Sequence, residues 1–405
     1  MSDTIPSEGV WDRICVPRLG VATLTRMAFR GVDLFPLWTE LMEKVTDDMP
    51  GSGLGMDLSV IAQLRGDKTT GLAIQNESLQ LHQVFCPERN PDAPTLRVLA
   101  LAAASDVGAN TPIEFLLEGS SISLAVLFLG EGVPLPPAIP AHDVAIVIAP
   151  ASADGEHALA NAEKLSRDWA TPLLNRPSQI RELERDRLYC KLKDIAGLKI
   201  PATDRLMRPE LQQPVNFRFP IIIRPIGSHA GFGLAKIEDE AALRSYLDGR
   251  PEDGFFISPF IDYASSDGMF RKYRIAIIDG KPFAVHMAIS DEWKVWYLNA
   301  DMALSTSNRV EEARFMQYFD EGFATRHARA IRELSTAIGL EYVLVDCAET
   351  REGDLLIFEA DHCAIVHDMD PVNVYPYKPA QMQKIFSAFV AMIERHAVNA
   401  DRRAA

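Results

Sequence analysis

Three apolar runs of strand length, 96–101, 123–129 and 144–149, constrain this chain most. They are continuous rather than alternating, so each strand is expected to be buried on both faces. Strands of that kind belong to parallel sheets whose crossovers cover both sides. The segments between them are helical or loop-like, with a helix expected over 156–170, a short fourth strand over 172–175 and a charged amphipathic helix over 178–195. Residues 95–200 therefore read as a small parallel α/β domain. The texture differs on either side. Residues 1–90 read as a helical region, with apolar residues at helical spacing over 34–45, 58–64 and 72–84 and a loop at 49–53. Three prolines within 87–94 read as a linker. From 219 onward short strands dominate: 219–224 with 233–237 across a glycine-rich loop, then 255–262, 273–278 and 282–288. The Asp279-Gly280 pair is a strong hairpin turn. A helix over 323–338, strands over 342–346 and 355–361, and a last helix over 380–396 complete an α+β half.

A length of 405 residues accommodates two or three cores. The formal net charge of −15 argues against a nucleic-acid partner and against an anionic membrane surface. No apolar run is long enough to span a bilayer, and the first residues lack the basic and apolar regions of a signal peptide. Cys15, Cys86, Cys190, Cys347 and Cys363 are odd in number and scattered, which fits neither a disulfide framework nor a structural zinc site. The chain reads as cytoplasmic.

Three constellations carry chemistry. In Arg224-Pro-Ile-Gly227-Ser228-His229-Ala230-Gly231-Phe232-Gly233, three glycines and a serine at a hairpin tip let backbone N–H groups fold over an anion, and Arg224 adds a fixed positive charge. A surface hairpin tip is the bland alternative. Asp346, Glu359 and Asp361 lie on two apolar strands joined by a turn near Glu352 and Gly353. Asp346 is expected opposite Glu359, and Glu359 and Asp361 share a face. Three converging carboxylates are costly without a cation, and an oxygen-only set suits Mg²⁺; a solvated strand end is the alternative. Met269-Phe-Arg271-Lys272-Tyr-Arg274 is a basic cluster in an acidic protein, with Lys272 and Arg274 on one face and Arg271 on the other. His286, His362 and His367 each read as a buried structural side chain, with His229 and His367 kept also as functional candidates. No G-x-S-x-G elbow is present.

Together these stretches resemble the ATP-grasp superfamily, in particular the branch similar to ribosomal-protein glutamate ligases that follow a helical, often tetratricopeptide-bearing, N-terminal region. The resemblance is carried by 219–234, Asp267-Gly-Met-Phe-Arg-Lys-Tyr-Arg274, Ile289-Ser-Asp-Glu-Trp293, Val345-Asp346 and Phe358-Glu-Ala-Asp361. It implies a pre-grasp α/β domain followed by a two-lobed ATP-grasp domain over 201–400, divided near 260, with ATP between the lobes. It implies further that the loop from Gly227 to Gly233, through Ser228, His229, Ala230, Gly231 and Phe232, covers the phosphates. Arg187 and Arg224 would take the places of the family's phosphate lysines, and Ser258, Phe260 and Ile261 would form the adenine hinge. Lys272 would also contact the nucleotide. Arg274, Arg271 and His229 would be catalytic, and Asp346, Glu359 and Asp361 would hold Mg²⁺. The chain departs from the family pattern in its two arginines, in Pro259 before the hinge and in Asp361 where the family has Asn.

The expected activity is an ATP- and Mg²⁺-dependent carboxylate–amine ligase working through an acyl phosphate on an amino acid or peptide. A phosphotransferase of the same fold and a non-catalytic scaffold are the alternatives. Trp293, Trp296, Arg309 and Lys378 are substrate-binding candidates by position, and a homodimer through the N-terminal helices is an open possibility.

Overall fold

The computed structural model describes residues 14–45, 53–88, 90–91, 93–213, 217–228, 231–296 and 300–404. In order, the first elements are β1 (Val16–Arg18), α1 (Val21–Phe29), α2 (Phe35–Lys44), α3 (Gly53–Leu64), α4 (Lys68–Leu81), β2 (Val84–Pro87), β3 (Leu96–Ala103), α5 (Ile113–Leu116), β4 (Ile122–Leu129), β5 (Val144–Val147), α6 (Glu156–Leu165) and β6 (Leu173–Leu174). The six strands form one sheet in the order β1-β2-β4-β3-β5-β6. The apolar runs make its centre, as expected: β3 pairs in parallel with β4 and β5, and every residue of β4 and β5 is buried.

The helical region is not a separate unit. The chain enters the sheet at β1, leaves it for four helices and returns at β2, which pairs in parallel with β1 and antiparallel with β4. Two expectations are corrected here. The helix expected to reach residue 84 ends at Leu81, because Val84 and Phe85 form a buried edge of the sheet. Pro87 is the last residue of β2 rather than the start of a linker. The loop expected at 49–53 lies outside the described residues except for Gly53, which begins α3. In α3 the residues from Met56 to Ala62 are all buried, since the helix is wedged between β1, α1, α2 and α4.

The single helix expected over 178–195 is broken. It becomes α7 (Pro177–Ile180), a 3-10 turn (Arg181–Leu183) and α8 (Arg185–Leu192), separated by Glu184 at ψ 137°. Next come β7 (Leu198–Lys199), β8 (Asp204–Met207), α9 (Arg208–Leu211), β9 (Ile221–Pro225), β10 (Ala235–Ile237), α10 (Glu240–Asp248) and β11 (Gly254–Pro259). Strands β10-β9-β11-β8 form a four-stranded antiparallel sheet with its own core of Ile221, Ile223, Ile237, Leu243, Leu247, Phe255 and Ile257.

The last elements are β12 (Phe270–Ile278), β13 (Lys281–Ser290), α11 (Thr306–Gln317), α12 (Ala328–Ile338), β14 (Tyr342–Glu349), β15 (Leu355–Asp361) and α13 (Lys378–Ala404). A five-stranded sheet, β13-β12-β14-β15-β7, results. Asp279 and Gly280 make its tight hairpin with φ of 46° and 78°, the positive values a type I′ turn needs. The helix expected from 323 opens instead as a π-helical turn over Asp320–Ala324 before α12. This sheet and the six-stranded one share a continuous core. Asn175 fastens them, its Nδ2 donating to the Tyr342 carbonyl at 2.9 Å and its Oδ1 accepting from the Tyr342 N–H at 3.1 Å. The four-stranded sheet, with a core apart, faces the five-stranded one across a cleft.

Candidate functional site

The cleft has a volume of about 460 Å3 and is walled by β9 and β11 on one side and by β12, β13, β14 and β15 on the other. Its floor depends on one irregularity. Asp346 stands opposite Glu359, as the turn position predicted, but the next pair inward is Cys347 with Ile357, so Phe358 is the extra residue of a β-bulge. The bulge shifts the alternation of faces by one residue. Leu356 and Phe358 before it, and Glu359 and Asp361 after it, consequently all line the cleft.

Three carboxylates thus meet five cationic side chains on the cleft wall: Arg185, Arg224, Lys272, Arg274 and Lys294. Arg274 grips Asp346 with both ends of its fork, Nε to Oδ1 at 2.6 Å and Nη2 to Oδ2 at 3.0 Å, and Lys272 Nζ lies 2.7 Å from Oδ2. Burial alone would raise the Asp346 carboxyl, yet Arg274 and Lys272 outweigh it and hold the group well below the usual range. Glu359 is likewise held low against burial, chiefly by Arg185, whose guanidinium pairs with it while Nη1 donates to the Phe358 carbonyl at 3.0 Å. Arg224 lies 3.9 Å from Glu359; burial, then the neighbouring Arg185, pull its value down to about 10. Two guanidinium groups side by side, in a wall with more positive than negative side chains, make a receptor for a multiply charged anion.

Above them lies the glycine loop. Gly227, Gly231 and Gly233 have φ of 73°, 72° and 66°, and a Cβ on Gly233 would come within 2.5 Å of the Pro225 ring. Ser228 accepts from Arg224 Nε at 3.1 Å and donates to the Pro225 carbonyl at 2.7 Å, which braces the arginine against the loop. Gly231 reaches the cleft. Lys294, after Trp293, extends to the Leu234 carbonyl at 3.2 Å, so the loop of one sheet touches the 291–296 segment of the other. Ser258, Phe260 and Ile261 line the far end, where Phe260 packs edge-on against Trp293.

Several expected residues fall elsewhere. Arg187 projects outward, half exposed, 3.8 Å from Glu182, and Arg185 occupies the cleft instead. The reason is the helix break at Glu184: residues two apart on a helix point in nearly opposite directions. Arg271 faces away, as its strand position required, and is held by Asp267 at 2.8 Å and Glu311 at 2.5 Å, so the structure does not bring it to the cleft wall. Phe232 is 60% exposed and lies under the Arg250 guanidinium, outside the cleft. His229 and Ala230 lie outside the described residues. Trp293 and Trp296 line the cleft, whereas Arg309 bonds to the Met302 and Ala303 carbonyls and Lys378 is buried 2.8 Å from Asp370 and 3.5 Å from Glu312.

Buried beside Arg274, His286 is kept far below its ordinary value by burial first and then by that arginine. Burial takes His362 down to about 4 while its Nε2 lies 3.0 Å from the Ala149 carbonyl. Asp361, His362 and Cys363 bring possible ligand atoms within 4.8 Å of one another, but Cys363 Sγ is engaged with the Ile148 carbonyl at 3.3 Å. Asp346, Glu359 and Asp361 remain as the oxygen set open to the cleft. Sequence reading passed over Arg185, two residues before the candidate Arg187, and Lys294, which directly follows the Ile289–Trp293 stretch.

No family model and no curated protein matches the chain. Among solved structures it is similar to a RimK domain ATP-grasp protein from Sphaerobacter thermophilus, with 14% identity and a TM-score of 0.43 over 73% of this chain and 99% of that one. It is also similar to the D-alanine–D-alanine ligase of Bacillus anthracis complexed with ATP, with 14% identity, a TM-score of 0.47, and 77% and 100% of the two chains covered. The VanG D-Ala:D-Ser ligase of Enterococcus faecalis shows 10% identity and a TM-score of 0.45 over 73% and 98%.

Proposed function

We propose that the cleft binds ATP with Mg²⁺ and that the chain is a carboxylate–amine ligase. The observation that carries this reading is the cleft wall itself, where five cations surround three carboxylates beneath a glycine loop. A triphosphate is the anion that uses such a wall: Arg185, Arg224, Lys272 and Lys294 can exchange their present partners for phosphate oxygens. Ser258, Phe260 and Ile261, with Ile222 and Leu356, would enclose the base. The three carboxylates are hard oxygen donors opening on one cavity, which fits Mg²⁺. Asp346, Glu359 and Asp361 would hold it, and the ion would supply charge neutralisation for the β- and γ-phosphate oxygens.

In this reading Arg274 stabilises the charge that develops as the γ-phosphoryl group passes to a substrate carboxylate. An amine then attacks the acyl phosphate, the amide forms and phosphate leaves. Most of the catalysis is positioning and electrostatics, as for other phosphoryl transfers. The contact between the loop near Gly231 and Lys294 supports a further role, exclusion of water from the acyl phosphate.

The test is ADP release from purified protein with ATP, Mg²⁺ and a panel of amino acids and short peptides, with product analysis by mass spectrometry. An amide product appearing only when an acid and an amine are both present supports the ligase. A stable phosphoester would assign the chain to phosphotransferases. The absence of Mg²⁺-dependent nucleotide binding would refute the ATP site altogether.

A further inference from the structure

A row of four polar side chains crosses the five-stranded sheet. His286 of β13 stands opposite Arg274 of β12, Arg274 opposite Asp346 of β14, and Asp346 opposite Glu359 of β15. Residues directly opposite one another in an antiparallel ladder share a face, and all four line the cleft. The proposed ATP site uses Arg274, Asp346 and Glu359. His286, at the outer end of the row, has no part in it.

The two ends of the row differ. Arg185 and Arg224 stand at the Glu359 end, and Ser228 ties Arg224 to the glycine loop. A triphosphate held by that loop and those arginines presents its γ-phosphate from the Glu359 end. Attacking and leaving oxygens lie roughly in line in phosphoryl transfer, so the acceptor comes to Arg274 from the opposite end. That end belongs to β13, whose residues on the cleft wall are His286 and Ala288. Ala288 offers a methyl group, and His286 offers a hydrogen-bond donor.

The ring is enclosed but not sealed, and part of the side chain keeps surface on the cleft. Its Nδ1 has no exposed surface, so the edge that can meet a ligand carries Nε2. Arg274 commits Nε and Nη2 to Asp346, which leaves Nη1 for a ligand beside that edge. Burial first, then Arg274, and also Lys378 and Lys272, disfavour a charge on the imidazole, with Asp346 opposing them. A neutral ring among three cations is a poor proton acceptor and keeps one N–H to donate.

We propose that His286 is a catalytic residue whose Nε2–H, with Arg274 Nη1, holds the substrate carboxyl oxygen that becomes the carbonyl of the acyl phosphate. The assignment rests on the ligase reading of the cleft. When the amine attacks, the C–N bond forms and that oxygen takes up the charge between the two donors. The C–O bond to phosphate then breaks, and the amine proton leaves with the phosphate, so no step asks His286 to accept one. Donors aimed at the place where charge develops act on the transition state more than on the bound substrate.

The probe is acetylphosphonate, a stable mimic of acetyl phosphate, titrated into full-length protein labelled with nitrogen-15 at histidine and saturated with ADP and Mg²⁺. A saturable shift at a protonated Nε2, missing from the spectra of His286→Gln, is the expected result. Acetylphosphonate affinity should fall about tenfold or more in His286→Ala and return to within about threefold of wild type in His286→Gln, whose carboxamide donates in place of the ring. ADP affinity should stay within about twofold in both, which a merely structural role would not spare. Should His286→Ala fold poorly, the wild-type shift and the His286→Gln rescue decide. No binding of acetylphosphonate to the ADP complex, equal binding in wild type and His286→Ala, or a bound ring with its proton on Nδ1 overturns the proposal while the nucleotide site stands. A wild-type protein that binds no ADP with Mg²⁺ overturns the ligase reading and this assignment together.

Discussion

Two buried ionic clusters in this chain are built from the same residue types and are organised in opposite ways. Under α1, Asp57 gives both its oxygens to backbone N–H groups, Leu19 at 2.8 Å and Gly20 at 3.1 Å, and Glu114 takes the Ala22 N–H and Arg18. Its carboxylates outnumber its cation, and their task is to satisfy the first amides of a helix that has no side-chain cap of its own. On the cleft floor, cations outnumber carboxylates, and the pairs run from side chain to side chain. The first arrangement is closed and the second can exchange partners. A buried charge bonded to backbone serves the fold, whereas a buried ion pair with surplus positive charge facing a cavity is poised for a ligand. Burial alone does not separate the two, since Asp57 and Asp346 are 1% and 3% exposed.

The largest effect expected from breaking this contrast is at Arg274. Arg274→Ala strands Asp346 without its fork and should lower turnover on the order of 10³-fold, with a stability loss of about 3–5 kcal/mol. Steady-state rates and urea unfolding report the two separately, and a variant with near-normal turnover would remove Arg274 from the chemistry. Asp57→Ala should cost about 3 kcal/mol in urea unfolding while nucleotide affinity stays within twofold of wild type at permissive temperature. A loss of affinity there would show the clusters to be coupled.

The pH dependence sharpens the contrast. Burial, opposed in part by Arg18, raises the Asp57 carboxyl to about 6. The folded chain then binds a proton more tightly than the unfolded one, so stability present at about pH 4 declines as pH rises towards 6 and levels off above it. Holding the carboxyl at about 6 rather than at 3.8 corresponds to about 3 kcal/mol. Asp57→Asn should therefore gain stability relative to wild type between pH 4 and 6, and parallel curves would show that the carboxyl does not titrate there. Asp346 behaves in the opposite sense: its depressed value contributes stability above the ordinary carboxylate range, lost as pH falls through its folded value.

Smaller effects separate neighbours. Arg185→Ala should weaken nucleotide binding about tenfold, the worth of one charge-assisted hydrogen bond, and Arg187→Ala by less than twofold. Calorimetric titration of both decides which arginine faces the ligand. Arg271→Ala should change affinity least, since its partners Asp267 and Glu311 lie away from the cleft.

Where periodicity speaks directly, reading and structure agree. The continuous runs at 96–101, 123–129 and 144–149 are parallel inner strands, the Asp279-Gly280 hairpin is in place, and Asp346 stands opposite Glu359. The losses occur where one residue changes a direction. At Glu184 a turn to ψ 137° exchanges Arg187 for Arg185, and neither residue's neighbours distinguish them in the linear text. The bulge at Phe358 gathers Leu356, Phe358, Glu359 and Asp361 onto one wall, and strict alternation would have divided them. The edge strands at Val16–Arg18 and Val84–Pro87 were concealed by their brevity within helical surroundings.

By itself, then, the amino-acid order determined the parallel centre of the first sheet, the antiparallel hairpins of the second half and the residue types that make a cationic, carboxylate-bearing cleft. Those properties follow from local pattern: burial on both faces, turn chemistry and strand alternation. Only the tertiary structure decided which arginine enters the cleft and that the N-terminal helices share a sheet with the domain after them. Each of these turns on contacts between residues far apart in the chain, and local periodicity carries no record of such contacts.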